Sequence, residues 1–478
     1  MKKTIRSLAA LLCGVILLLA CCTTLASCDL KQMQGMVQDL SDALSDINVL
    51  GDSSSDKEQQ SSDQQQSSEQ APVQTPVQTP EQSVQPPLTT QPGFNEQGEL
   101  IEPDEALEAL LYEAATQLRE EVDISALGYT QDTLQPEIEY FFFTHPELFY
   151  VSNGYSILAN KQDEVQKIKL KYLYSAYSIP AMLLEYRQMI AKIVSDAPKD
   201  GTDFDKLLYL HDYLVRNYAY DYDGLRAEAA TNQSVAVRDA YNFFKSGEGV
   251  CQAYMLALIA LCNELGIPCL PVTSEQLAHA WNLVQLDGKW YHVDVTWDDA
   301  GGEQSAVYPS YISYKYFLLS EQALKAGGRD VTWVAGEEAK DTKYDNVLWR
   351  DATTAMLKQD GEYFCTVYND AIGKAQLYRG TPTQMAVALT LEDARWNYKE
   401  AWVSLAVWEN VIVLNTATGL RYYDALTNTL TTVAEFNLVG RKQIFGIYDV
   451  SDEGLIIFVV ARECQGSYDL QSWQLPAH

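Results

Sequence analysis

The sequence predicts an α+β fold in which one buried helix packs on an antiparallel sheet, with a helical extension before it and an all-β domain after it. Three observations predict this. Residues 253–265, AYMLALIALCNEL, are apolar almost all round and too long for a strand, so they read as a buried helix. Two alternating runs flank Asp287-Gly288, a strong signal for a two-residue hairpin turn. From about Lys325 the pattern changes to hairpin-like units such as DGEYFCTVYND and WENVIVLNTATGLRYYD.

The elements follow in chain order. Lys2, Lys3 and Arg6 precede an apolar stretch from Leu8 to Ala20, so residues 1–27 read as a secretory signal, too short for a comfortable membrane span. Leu25-Ala26-Ser27-Cys28 looks like a bacterial lipobox, which makes Cys28 the expected lipidation site and first mature residue; Cys21 and Cys22 fit that pattern less well. The expected location is the outer side of the cell membrane, held by lipid. Within residues 28–98, KQMQGMVQDLSDALSDINVLG reads as a short amphipathic helix, and the residues from Asp52 to about Gly98 are dominated by Ser, Gln, Glu, Pro and Thr and contain PVQTPVQTP. With so little apolar surface to offset chain entropy, they are expected to form a disordered tether.

Residues 99–324 are expected to form the main domain. Helices are predicted over 103–122, 137–151 (stopping before Pro146), 180–195 and 203–218, with a strand over 165–177. In the last helix His211 shares a face with Leu207, Leu210 and Leu214, so it reads as a core residue. Residues 325–478 are expected to be the β-rich domain. Its landmarks Gly361, Asn410 and Gly454 recur at propeller-blade spacing, but three units do not close a usual propeller, so stacked meanders are expected.

The chain has 34 Lys and Arg against 65 Asp and Glu, a formal net charge of -31, which argues against nucleic acid or an anionic lipid surface as its main partner. Of the 9 cysteines, Cys13, Cys21 and Cys22 leave with the signal and Cys28 takes lipid. Cys251, Cys262, Cys269, Cys365 and Cys464 remain, an odd number, which in an exported protein points to a free thiol. No CxxC pair supports zinc, and the adjacent Asp298 and Asp299 read as solvated turn carboxylates rather than metal ligands.

Cys251 differs from the other thiols by position. Cys262 and Cys269 read as small buried hydrophobes. Cys251 stands at the start of the buried helix, where unpaired N–H groups and the dipole favour thiolate. Gly247 and Gly249 before it are expected to leave room for a substrate backbone. A nucleophile needs a base. If Asp287-Gly288 is the whole turn, Leu286 pairs with Lys289, His279 with Thr296 and Trp281 with Asp294. His279 and Asp294 are then diagonal neighbours on one face, and His292, a rival base, shares it. Cys251, His279 and Asp294 thus have the chemistry of nucleophile, base and orienter.

GEGVCQAYMLALIALCNELGIPC followed by HAWNLVQLDGKWYHVDVTWDD closely resembles the transglutaminase-like superfamily, whose fold is papain-like. LYLHDYLVRNYAYDYD upstream and KYFLLS downstream fit the same resemblance, as in a bacterial lipoprotein member. It implies Cys251 as nucleophile, His279 as base at HAWN and Asp294 as the third member at VDVTW. The implied chemistry is acyl transfer through a thioester on a peptide or protein substrate, needing no metal or organic cofactor, with the Cys251 N–H as an oxyanion donor. Gln252 departs from the Trp that many cross-linking members carry after the nucleophile. Hydrolysis of peptide or amide bonds is therefore the first expectation. Protein cross-linking and a non-catalytic peptide- or cell-wall-binding module are the alternatives.

Overall fold

The computed structural model describes residues 82–84, 104–231, 237–299, 311–328, 331–352, 354–369, 371–391, 403–462 and 468–476. The signal, the lipobox and the tether lie outside them, except for strand β1 (Gln82–Val84).

The N-terminal extension is mixed. Helix α1 (Glu105–Thr116) starts on an Asp104 cap and is followed by β2 (Glu121–Asp123). Helix α2 (Gln131–Thr144) starts on a Thr130–Thr133 capping box and carries Pro136 inside it. β3 (Tyr155–Ala159) and β4 (Val165–Lys169) complete a sheet of order β1-β3-β4-β2. Three sequence expectations are corrected here. The first helix ends six residues early because Leu118 takes a left-handed φ of 55°. The second begins six residues early, because the Thr130 box supplies a stronger start than Pro136. The strand ends at Lys169 rather than continuing to Tyr177.

Helices α3 (Ile179–Ser195) and α4 (Asp203–Asn217) fall where expected. A short parallel pair, β5 (Ala219–Tyr220) with β6 (Glu248–Gly249), brackets α5 (Tyr222–Thr231) and α6 (Ala240–Ser246). Helix α7 (Cys251–Leu265) then runs through the core with every residue from Ala253 to Cys262 buried. It ends on Gly266 at φ 71°, a left-handed cap that favours glycine. Its apolar surface packs against the five-stranded sheet β10-β9-β8-β7-β11: β7 (Cys269–Ser274), β8 (His279–Leu286), β9 (Lys289–Val293), β10 (Phe317–Leu319) and β11 (Val334–Ala335). Between β9 and β10 lies the one-turn helix α8 (Val295–Asp298), and α9 (Glu321–Ala326) follows β10.

The C-terminal region forms three antiparallel meanders: β12 (Leu357–Gln359) to β15 (Gln384–Thr390), β16 (Leu405–Trp408) to β19 (Thr429–Glu435), and β20 (Gln443–Val450) to β22 (Asp469–Gln474). Gly361, Asn410 and Gly454 each lie in the first hairpin of their meander, which is the origin of the spacing. The middle sheet is buried on both faces. Ile412 and Leu414 of β17 (Val411–Asn415) pack with Phe364 and Leu377 of the first meander. Val411 and Val413 pack with Ile444, Ile456 and Phe458 of the third. The outer face of the first meander joins the main core through Tyr363, Cys365 and Tyr378. Among the described residues, no helix is long and apolar enough to cross a membrane.

Candidate active site

Cys251 is the first residue of α7, after Val250 in extended conformation. Its own N–H therefore has no acceptor within the helix. The two glycines before it serve the chain itself, which corrects the expectation that they clear space for substrate. Gly247 caps α6 at φ 83°. A Cβ on Gly249 would stand 2.6 Å from Phe243 and 2.8 Å from the Ala253 Cβ, so a side chain there would push α7 away from α6.

The hairpin has the register that a two-residue turn dictates: Leu286 pairs with Lys289, Leu283 with His292 and Asn282 with Val293. Asn282 fixes the sheet to the helix, its amide donating to the Met255 carbonyl of α7 at 3.1 Å. That bond sets the height of His279 against Cys251. The strand stops at Val293, so the expected pairing of His279 with Thr296 is not formed. Asp294 instead caps α8, its Oδ1 accepting the Trp297 N–H at 3.1 Å. Its Oδ2 lies 2.8 Å from His279 Nε2. With Nε2 so engaged, Nδ1 is the nitrogen left for Cys251, whose thiol and the His279 ring shift each other toward their charged forms.

The electrostatics follow from these contacts. Burial pushes the Cys251 thiol up, but the neighbouring His279, the Ala280 N–H and the Arg238 guanidinium together bring it below its ordinary value. Burial pulls His279 down, but Asp294 and then Cys251 raise it to about 9. Each group thus favours the charged form of the other, which is the condition for a thiolate–imidazolium pair. Two indoles lie against the imidazole: Trp281 at a centroid distance of 5.6 Å and Trp297 at 5.2 Å. Cys269 and Cys365 contrast with Cys251. Burial raises the first well above the ordinary range and the second to about 12.

His292, the rival base, accepts the Trp281 indole N–H on Nδ1 at 3.0 Å and packs edge-on against Trp333. An indole N–H only donates, so that bond fixes the tautomer with the proton on Nε2. Asp298 and Asp299 are not solvated. Asp298 is fully buried on His211 and Ser313, and Asp299 accepts the Tyr254 hydroxyl at 2.5 Å. Among the described residues, no group of three or more His, Cys, Asp or Glu side chains has the geometry to hold a metal ion.

Sequence reasoning missed Arg238. Its Nε donates to both oxygens of Glu228 at 2.9 Å, and its charge bears on Cys251 across the α6–α7 junction. Nothing in the local sequence marks it. The Trp pair was legible only as HAW and DVTW, one indole two residues after His279 and one three after Asp294. A groove of about 230 Å³ flanks the start of α7, lined by Gln252, Leu256, Arg238, Phe142, Leu148 and Tyr174 among others.

Residues 188–295 match the model of the transglutaminase-like superfamily. The chain carries a transglutaminase-like core. The matched span runs from within α3 to just past Asp294, and so contains all three predicted site residues. The mouse kyphoscoliosis peptidase is 20% identical over 167 residues, covering 32% of this chain and 24% of that protein. The chain thus spans about a quarter of that relative's length. Among solved structures, a transglutaminase is 19% identical over 31% of this chain and 45% of its own, at a TM-score of 0.22. A candidate cysteine protease from Cytophaga hutchinsonii is 16% identical over 28% of this chain and 51% of its own, at a TM-score of 0.19. Outside the transglutaminase-like core lie the N-terminal extension and the three meanders.

Proposed function

We propose that this protein is an exported, lipid-anchored cysteine enzyme that hydrolyses peptide or amide bonds through Cys251, His279 and Asp294. The observation that carries the reading is the His279 ring, held to Asp294 at 2.8 Å through Nε2 and bringing the Cys251 thiol below its ordinary value. The Cys251 thiolate attacks the acyl carbon, and the oxyanion that forms is met by the Cys251 N–H at the start of α7. The intermediate collapses to a thioester as His279 gives a proton to the leaving amine. His279 then takes a proton from water, which attacks the thioester and releases the acid and the free thiol. Asp294 keeps the ring oriented and its charged form stable throughout. The groove beside Gln252 and Leu256, lined by both apolar and polar side chains, suits an extended peptide.

Water is favoured over an amine as the second substrate because Gln252 stands where many cross-linking members carry Trp. The word peptidase in the name of the mouse relative agrees with that choice. Incubation with a casein-like protein and a labelled amine separates the two: hydrolysis without incorporation is expected, and robust Cys251-dependent incorporation would reverse the choice. Anchoring is tested separately. Cys28→Ser should release the protein from the membrane fraction or block its maturation, and unchanged membrane retention with an unmodified Cys28 peptide would defeat it.

A further inference from the structure

His211 lies on the core face of α4, fully buried, and is held between two carboxylates. Its Nδ1 is 3.0 Å from Asp212 Oδ1 and its Nε2 is 3.2 Å from Asp298 Oδ2. A neutral imidazole has one N–H, so bonding a carboxylate at each nitrogen requires the imidazolium. Asp298 is the last residue of α8. Its Oδ1 accepts the Ser313 hydroxyl at 3.0 Å and the Tyr316 N–H at 2.9 Å. Asp212 Oδ2 accepts the Tyr314 hydroxyl at 2.9 Å, and that hydroxyl oxygen in turn accepts the Met356 N–H at 3.0 Å. Tyr314 stacks on the imidazole at 5.3 Å, and Phe317 lies 4.7 Å from it. The charged groups around His211 are thus Asp212 from its own helix and Asp298 from α8, with Arg350 bearing on Asp298 and Arg216 on Tyr314.

Helix α8 is one turn long, too short to hold its own geometry. It is pinned at both ends by aspartates. Asp294 caps its start and reaches His279; Asp298 closes its end and reaches His211. We propose that His211 is a positioning residue: its imidazolium anchors Asp298, and through the single turn of α8 it holds the Asp294 carboxylate against His279. Loss of that anchor lets Asp294 drift from the ring, weakens the imidazolium, and returns Cys251 toward an ordinary thiol. This rests on the reading of Cys251, His279 and Asp294 as the reacting groups.

The test is the pH profile of Cys251 alkylation by iodoacetamide in the full chain, read by mass spectrometry. Alkylation needs no turnover, so a failure of peptide hydrolysis leaves this test intact. His211→Gln should move the acid limb of the profile upward. A shift of one unit lowers the rate at pH 6 by about tenfold, because the thiolate fraction falls tenfold. Leu414→Ala, in the distant middle meander, serves as a variant destabilised without contact to α8, and its acid limb should stay in place. A folded His211→Gln protein with an unmoved limb, or a limb that moves equally in Leu414→Ala, would overturn the proposal. If His211→Gln does not fold, Ser313→Ala decides. It removes one donor from Asp298, and its limb should move the same way by a smaller amount; an unmoved limb overturns the proposal. In the unaltered protein, nitrogen-15 imidazole shifts should show His211 protonated on both nitrogens at pH 7, and a neutral ring there would also overturn it.

Discussion

Asp294 does two jobs with two oxygens, capping α8 with Oδ1 and holding His279 with Oδ2. Asp294→Asn keeps an acceptor for the cap and removes the charge. Thiol reactivity at neutral pH should fall by at least about tenfold, the effect of one unit in thiol ionisation, while the melting temperature changes little. A variant with wild-type reactivity would separate Asp294 from the ion pair. The histidines predict a pH dependence of stability. His279 and His211 are each raised from 6.5 to about 9 in the folded protein. Their stabilising contribution is fully present below 6.5 and is lost as pH rises through about 9. The lowered Cys251 contributes with the opposite sign, gaining toward high pH, so the test uses Cys251→Ala, in which Asp294 still raises His279 and Asp212 and Asp298 still raise His211. Its melting temperature should fall between pH 7 and pH 9.5, and a constant or rising value would contradict the assignment. At this scale the sequence was informative where a local rule applied. Asp287-Gly288 dictated the register as far as Asn282 and Val293, whereas Asp294 reaches His279 from the cap of α8 and not from a paired strand position. It was uninformative where the partner is remote. Asp298 looked solvated because its neighbour is acidic, whereas its counter-charge His211 lies 87 residues upstream.

At the scale of elements, the site depends on how closely α7 follows α6. Gly249 lies 3.1 Å, by its missing Cβ, from the Val237 carbonyl, as well as against Phe243 and Ala253. Gly249→Ala should therefore cost about 1–3 kcal/mol by overpacking, and it should slow Cys251 alkylation because the helix start must shift. Denaturant unfolding measures the first effect, and an unchanged midpoint would show that the junction yields freely. Helix α7 and the β8–β9 hairpin were legible because each is announced by composition: an apolar run ended by Gly266, and alternation around a turn dipeptide. The ends of α1 and α2 were not. No glycine or proline marks the left-handed Leu118, and Pro136 suggests a helix start although Thr130 provides the real one. Helix α8 was hidden inside an alternating run, since only the cap made by Asp294 shows that the strand has ended.

On the scale of the molecule, the first meander and the transglutaminase-like core share one apolar cluster. Trp349 is fully buried in it among Phe204, Phe317 and Tyr344, and its indole donates to the Pro382 carbonyl at 2.7 Å. Asp205 of α4 meets Lys358 at 2.7 Å and the Tyr363 hydroxyl across the same junction. Trp349→Ala should cost about 3–5 kcal/mol and lower the melting temperature of core and meanders together; two separate transitions, with the core unaffected, would contradict a shared core. The spacing of Gly361, Asn410 and Gly454 made the repeat legible, but the attachment of the first meander to α4 rests on contacts some 150 residues apart and has no local signature. The whole chain also supplies the most direct test of the central claim, because every thiol competes in it at once. A thiol-reactive acyl-peptide probe, applied to the intact protein near neutral pH and mapped by mass spectrometry, should give one adduct, on Cys251, that is absent from Cys251→Ala and nearly absent from His279→Ala. Equal labelling of Cys365 or Cys464, or full Cys251 labelling in His279→Ala, would contradict the account.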